Sequence, residues 1–131
     1  MKNILITNNP KVFEENKDKM EIIYSNEYSY LDILYMTRDK IHNGYRLLTH
    51  PLSGSIKPNE TPYKSTIVIK EEQNLDLNSL DVIEKSIETA SKFLKTKKTP
   101  KWTNKILEDF QVIDFSLIES AIESIYQFKK C

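Results

Sequence analysis

The feature that most restricts the fold of this sequence is a short, continuous apolar run near the N-terminus. Ile4, Leu5 and Ile6 follow one another with no polar residue between them, a pattern typical of a β-strand that is buried on both faces. Such a strand needs cover on each side of its sheet, so we expect helices on both faces. The 131 residues fit one domain, residues 1–131, with a core of its own.

Strand and helix patterns alternate along most of the chain. We predict strands at 4–6, 21–24, 47–49, 66–70 and 111–115, and helices at 10–17, 30–43, 78–94, around 102–107 and from 116 onward. Local signals mark several helix ends: Asn9-Pro10 suits a helix start, Ser29 with Asp32 and Ser116 with Glu119 resemble capping boxes, and Gly44 suits a C-terminal turn. This alternation predicts a three-layer α/β domain with a mainly parallel sheet of about five strands flanked by helices. No helix separates strands three and four, so that pair is either antiparallel, with strand four at an edge, or joined by an irregular crossover.

A long polar loop, residues 50–64, lies between these two strands. It contains Pro51, Pro58 and Pro62, together with Gly54, one of only two glycines in the chain. Connections of this length without regular structure are uncommon in compact domains and are usually functional or disordered. We therefore expect the loop to contain the functional site.

Polar residues also follow strands one and three. Asn8 and Asn9 come after strand one, and Thr49 and His50 come after strand three. In a parallel sheet both segments border the same crevice, where open α/β sheets bind ligands. The alternative for the two asparagines is helix capping, since asparagine is a preferred N-cap residue.

His50 is the best catalytic candidate, because histidine titrates near physiological pH and can act as an acid, a base or a donor to an anion. The alternative is a histidine that only fixes a turn. Around it, hydroxyls, a glycine and two lysines could receive a phosphate or carboxylate, and a downstream group could form a ligand clamp or a partner surface. The candidates are Ser53, Gly54, Ser55, Lys57 and Lys64, followed by Asn59, Glu60 and Tyr63.

Composition argues against several functional classes. Nineteen lysines and arginines balance nineteen aspartates and glutamates, so no net charge favours nucleic acid or an anionic membrane. The single cysteine, Cys131, and two histidines have no metal-ligand spacing, and no glycine-rich cofactor motif occurs. We expect neither a metal nor a cofactor. The absence of a signal peptide or membrane-spanning run predicts a cytoplasmic protein.

A homodimer is a further expectation. The chain has more aromatic residues than we expect its core to absorb, and exposed aromatic side chains often mark an interface. The residues concerned are Tyr28, Tyr30, Tyr35, Tyr126 and Phe128.

The sequence resembles the GrdX family, small proteins encoded beside the glycine, sarcosine and betaine reductases of amino-acid-fermenting anaerobes. The resemblance covers most of the chain. It rests on TNNP at 7–10, RDKIH at 38–42, LTHPLSGSIKPNETPYKS at 48–65, SIET at 86–89 and LEDF at 107–110. It implies a cytoplasmic accessory role in selenoprotein-dependent reductive amino-acid metabolism, and it assigns no catalytic residue.

Two main hypotheses follow. The first is an accessory or regulatory protein of the reductase system that binds a small anion or a reductase component at the 50–64 loop. The second is a small enzyme that acts on a carboxylate or acyl-phosphate metabolite, with His50 as acid or base and Lys57 or Lys64 neutralising charge. A purely structural partner protein, whose loop is an interface, is a third reading.

Overall fold

The computed structural model describes residues 2–53, 56–70 and 75–129, with side chains as far as residue 127. Gly54, Ser55 and Cys131 of the sequence analysis lie outside these residues, as does the side chain of Phe128. Four strands and four helices are present in this part of the chain. In order they are β1 (Asn3–Thr7), α1 (Pro10–Asn16), β2 (Glu21–Tyr24), α2 (Tyr30–His42), β3 (Tyr45–Leu47), β4 (Ser65–Lys70), α3 (Leu77–Thr96) and α4 (Asn104–Lys129).

The sheet is mixed and has the strand order β2-β1-β4-β3. Only the β1–β2 pair is parallel, whereas β4 runs antiparallel to both β1 and β3. The prediction of a mainly parallel sheet is therefore wrong. The physical reason is that no helix carries the chain back along the sheet between β3 and β4. β4 therefore starts at the same end of the sheet at which β3 finishes, and it runs in the opposite direction.

The antiparallel alternative for the third and fourth strands is confirmed, but the position assigned to the fourth is wrong. β4 lies inside the sheet, paired on both sides, and β3 is the edge strand. The burial of β4 is consistent with this central position, since the side chains of Ile67 and Val68 are fully buried.

The predicted fifth strand is also wrong, because residues 111–115 lie in the middle of α4. Asp114, Ile118 and Ile122 are buried at steps of four, which is the spacing of one helix face. The predicted helix start at Ser116 is absent for the same reason. Glu119, expected to complete its capping box, accepts a hydrogen bond from Asn16 Nδ2 at 2.8 Å.

Helices cover both faces of the sheet, as the apolar run of β1 predicts. On one face Ile4 and Ile6 pack with Ile33 of α2. On the other face Leu5 packs with Val12 of α1 and with α4. Helix α3 lies against α2 through a second apolar cluster that includes Leu34, Ile83 and Ala90.

Local signals around α1 and α2 are confirmed. Asn9 is the N-cap of α1, with Pro10 at its first position. Ser29 and Asp32 form the capping box of α2, and Gly44 beyond its end has a φ of 92°, a conformation that glycine tolerates without strain. Of the aromatic residues that suggested a dimer, Tyr30 is buried, while Tyr35 and Tyr126 are each 38% exposed.

Candidate functional site

The C-terminal ends of β1 and β3 and the N-terminal end of β4 lie at the same end of the sheet. Thr7, the last residue of β1, pairs with Ser65, the first residue of β4. Because β1 and β3 are both antiparallel to β4, they run in the same direction. The segments that follow them, beginning at Asn8 and Leu48, therefore leave the sheet at the same end, even though the sheet is mixed.

The Asn8 side chain joins β1 to the end of the loop. Its Oδ1 accepts a hydrogen bond from the Lys64 backbone N–H at 2.9 Å, and its Nδ2 donates to the carbonyls of Tyr28 and Pro62 at 3.0 and 2.8 Å. Both amide hydrogens are thus used within the protein. Asn8 fixes where Lys64 lies.

Asn9 connects α1 to α4. Its Oδ1 accepts from the Lys11 backbone N–H at 3.0 Å, which is the predicted capping role. Its Nδ2 donates to the Gln111 carbonyl and to Asp114 Oδ2, each at 3.0 Å. Neither asparagine keeps an amide hydrogen for a ligand.

A chain of buried hydrogen bonds ends at Asp114. Ser65 Oγ donates to Asp114 Oδ2 at 2.7 Å, and Thr7 Oγ1 lies 2.7 Å from Ser65 Oγ. Since the single Ser65 hydroxyl hydrogen points to Asp114, Thr7 is the donor in the second bond. Thr7 Oγ1 in turn accepts from the Asn9 backbone N–H at 3.0 Å.

An open cavity of about 270 Å³, which we call the Lys64 cavity, lies between the start of the loop, the start of β4 and helix α4. Its walls are mainly apolar and include Leu48, Leu52 and Leu117. Two buried ionisable groups, Lys64 and Asp114, also line it, together with the exposed His50. Mostly apolar walls with a few polar groups are typical of small-molecule sites.

The side chains of Lys64 and Asp114 are both strongly buried. Lys64 is 5% exposed and Asp114 is 7% exposed. Burial lowers the pKa of the Lys64 ammonium, and the negative charge of Asp114 partly offsets that effect. Burial raises the pKa of the Asp114 carboxyl, while hydrogen bonds from Asn9 and Ser65 and the charge of Lys64 act in the opposite direction.

Lys64 Nζ makes one described hydrogen bond, to Ser53 Oγ at 3.2 Å. An ammonium group has three hydrogens to donate. Within residues 2–53, 56–70 and 75–129, Ser53 is therefore its only hydrogen-bond acceptor. The remaining donor capacity makes Lys64 the strongest candidate for contact with a ligand.

His50 and Thr49 lie at the rim of this cavity. His50 is exposed, and its Nδ1 accepts a hydrogen bond from the Leu52 backbone N–H at 3.1 Å, which is the turn-fixing geometry. Thr49 Oγ1 accepts from the Ile67 N–H at 3.0 Å and so extends the pairing of β3 with β4. Nearby, Tyr30 Oη donates to the Pro51 carbonyl at 3.3 Å.

The later candidates of the loop lie elsewhere. Asn59 Nδ2 donates to the carbonyls of Phe93 and Lys97, at 3.2 and 3.0 Å, and so holds the loop to the end of α3. The Glu60 carbonyl accepts from Trp102 Nε1 at 2.7 Å.

Lys57 and Tyr63 are the remaining two. The Lys57 side chain is exposed, whereas the Tyr63 hydroxyl accepts from Gln111 Nε2 at 2.8 Å. Neither these two residues nor Asn59 and Glu60 line the Lys64 cavity.

Sequence reasoning missed Asp114 and Ser65. The pattern of residues 111–115 predicts a strand, and a strand gives no indication that Asp114 lies on the buried face of a helix. The available signal was its spacing of four residues from Ile118 and of eight from Ile122, which places a carboxyl on an apolar helix face. Buried carboxyls in a cleft are candidates for functional groups.

No group of three or more metal-ligating side chains occurs among the described residues. Over the same part of the chain, no helix combines the length and the apolar composition needed to cross a bilayer.

Comparison with known families gives a match over nearly the whole chain. The sequence model of the family described as GrdX-like protein matches residues 4–123. The chain belongs to this family. The matched range extends from β1 through most of α4, so it includes every residue that lines the Lys64 cavity. No curated protein and no solved structure matches the chain.

Proposed function

We propose that this GrdX-like protein is an accessory or regulatory component of the glycine, sarcosine and betaine reductase system, and that it binds a small anion in the Lys64 cavity. Membership of the family supports the first part. The position of Lys64 supports the second part.

The observation on which anion binding rests is the Lys64 ammonium, buried at the cavity with Ser53 as its described acceptor. A buried ammonium is costly unless further acceptors surround it. A carboxylate or phosphate oxygen supplies such an acceptor and forms a short, charge-assisted hydrogen bond. Binding of an anion at this position is therefore favourable, and it stabilises the folded protein.

The volume of the cavity limits the size of the ligand. At about 270 Å³ it falls just below the range of roughly 300–1,000 Å³ typical of ligand pockets. We expect a metabolite of a few heavy atoms, such as a small carboxylate or an acyl phosphate, and no nucleotide.

Thermal unfolding of the wild type and of Lys64→Met with small carboxylates, phosphate and acetyl phosphate tests this proposal. A ligand at a hundred times its dissociation constant stabilises the folded state by about 2.7 kcal/mol. We expect a rise in Tm for the wild type and none for Lys64→Met. Lys105→Met, which removes an exposed lysine of α4, is the matched control and should respond like the wild type.

If no small anion raises the Tm of the wild type, the anion part of the proposal is wrong. The purified reductase components are then the next ligands to test, by their retention on the immobilised protein. Lack of retention would contradict a direct accessory role in the reductase complex.

A small enzyme remains the second candidate, because His50 and Lys64 border the same cavity. His50 Nδ1 lies 3.1 Å from both the backbone N and the carbonyl O of Leu52, so the local turn holds the ring at the cavity. If His50 is the acid or base, turnover of a carboxylate or acyl phosphate should collapse in His50→Ala. Equal turnover by wild type and variant would exclude His50 as the catalytic group.

A further inference from the structure

The Lys64 cavity is lined by a basic and an acidic side chain that do not meet. Lys64 Nζ contacts Ser53 Oγ, whereas Asp114 Oδ2 accepts from Ser65 Oγ and Asn9 Nδ2. Among the described residues no ion pair joins the ammonium to the carboxyl, although both line the cavity. The two groups are thus held apart by partners of their own.

An exposed pair on α4 behaves differently. Lys105 and Asp109 lie one helical turn apart, and their charged groups approach to 3.5 Å in solvent. Oppositely charged side chains that can reach each other form this contact at little cost. Lys64 and Asp114 remain separate even though burial makes an unpaired charge far more costly, which indicates a place for a ligand between them.

A ligand with a single charge suits only half of this arrangement. A simple anion gains from Lys64 but is repelled by Asp114, and a simple cation gains from Asp114 but is repelled by Lys64. A ligand that carries a carboxylate and an ammonium a few atoms apart satisfies both.

We propose that the cavity binds a small zwitterion of the α-amino-acid class, with its carboxylate at Lys64 and its ammonium at Asp114. This inference rests on the proposed function, because it concerns the same cavity. The apolar walls formed by Leu48, Leu52 and Leu117 leave room for a short or apolar substituent.

Isothermal titration of the wild type with glycine, acetate and glycinamide tests the inference without any substitution. Acetate retains only the carboxylate, and glycinamide retains only the ammonium. A charge-assisted hydrogen bond to a buried partner corresponds to about ten-fold or more in affinity. We therefore expect glycine to bind at least about ten-fold more tightly than either single-charge probe.

Two substitutions locate the charges. Asp114→Asn keeps an acceptor for Asn9 and Ser65, and it should abolish the preference for glycine over acetate while acetate still binds. Lys64→Met should abolish binding of glycine and acetate alike. The matched controls are Asp109→Asn and Lys105→Met in the exposed pair, and both should bind glycine as the wild type does. Circular dichroism establishes that each variant is folded.

The outcomes separate this inference from the proposed function. Acetate binding as tightly as glycine overturns the zwitterion and leaves the anion site intact. Glycinamide binding as tightly as glycine also overturns it, because Lys64 then plays no part. If none of the three probes binds but phosphate raises the Tm through Lys64, the zwitterion is wrong and the anion site stands. If phosphate fails as well, both are wrong.

Discussion

The two faces of the sheet are built differently. On the α2 face, Ile4, Ile6 and Val68 pack against Ile33, and the buried hydroxyls of Thr37 and Thr66 bond to each other, with Thr37 also donating to the Ile33 carbonyl. On the α4 face, the apolar cluster around Leu5 and Ile118 lies beside buried polar side chains from several elements, namely Thr7, Asn9, Asn16, Ser65 and Asp114.

We expect this difference to separate stability from ligand binding. The α2 face is closed by apolar packing and needs nothing from outside. The α4 face contains buried charge, and its cavity opens where the loop, β4 and α4 meet. We therefore expect substitutions on the α2 face to change mainly the free energy of unfolding, and substitutions on the α4 face to change ligand binding and pH dependence as well.

The largest effect should come from Ile33→Ala on α2. Ile33 is fully buried in the cluster that faces the sheet, so its truncation leaves a cavity and should lower the free energy of unfolding by about 2–5 kcal/mol. Urea denaturation measures the loss, and titration should show unchanged affinity for glycine. Leu77→Ala, at a side chain that is 72% exposed, is the control and should cost far less. Weakened glycine binding in folded Ile33→Ala would break the proposed separation of the faces.

Asn9→Ala on the other face should have an intermediate effect. It removes the N-cap of α1 and both hydrogen bonds from Nδ2 to α4, a loss of about 1–3 kcal/mol. Here we also expect the affinity for glycine to fall, since Asp114 loses the hydrogen bond from Asn9 that helps to hold its side chain. Asn26→Ala, in an exposed turn, provides the comparison in urea denaturation and titration. If affinity is unchanged, Asn9 contributes to stability alone.

A smaller effect, in pH dependence, should appear for Asp114→Asn. Burial raises the pKa of Asp114 in the folded state, so in the interval between the unfolded and the folded pKa the folded protein holds one proton more than the unfolded chain. The Asp114 contribution to stability therefore falls as pH rises from the ordinary aspartate pKa to the raised value, and is constant above it.

Asp114→Asn should lack this fall. Urea denaturation of both proteins at a series of pH values from the ordinary aspartate pKa upward measures the difference, and Asp109→Asn should follow the wild type. Parallel curves for wild type and Asp114→Asn would show that the hydrogen bonds from Asn9 and Ser65 and the charge of Lys64 fully cancel the effect of burial.

The smallest effect should come from His50→Ala at the rim of the cavity. One hydrogen bond from the Leu52 N–H to an exposed ring is lost, which should lower the free energy of unfolding by about 0.5 kcal/mol. His42→Ala, at the exposed end of α2, is a suitable reference. A loss as large as that of Asn9→Ala would mean that the rim, and not only the floor of the cavity, is built for stability.

Local sequence signals predicted much of the first half of the chain. The caps at Asn9 and Ser29 and the glycine at 44 involve partners within a few residues, so the sequence contains the whole interaction. The strand directions could not be predicted in this way, because β1 and β4 pair across the intervening half of the chain. Residues 111–115 resemble a strand because Val112, Ile113 and Phe115 are apolar, although Val112 and Ile113 are exposed on α4.

The candidate site was predicted only in part. Position along the chain correctly brought Asn8 and Asn9 to the same end of the sheet as Thr49 and His50. Which groups are already bonded could not be read from the sequence, since the partners are distant: Asn9 and Gln111 are 102 residues apart. The same limit hid Asp114, whose nearest donors belong to β4 and the start of α1.

The position of β1 in the sheet has a consequence for the order of folding. Its antiparallel partner is β4, and the contacting residues Thr7 and Ser65 are 58 residues apart. During synthesis the N-terminal segment emerges first, and it can pair early only with the nearby β2. The apolar strand at residues 4–6 then remains uncovered on its other side until the chain has been made past residue 70. Closing so long a loop is an entropic cost that precedes the gain from pairing, so the centre of this sheet forms late and β1 is the segment of the nascent chain that most needs protection from association.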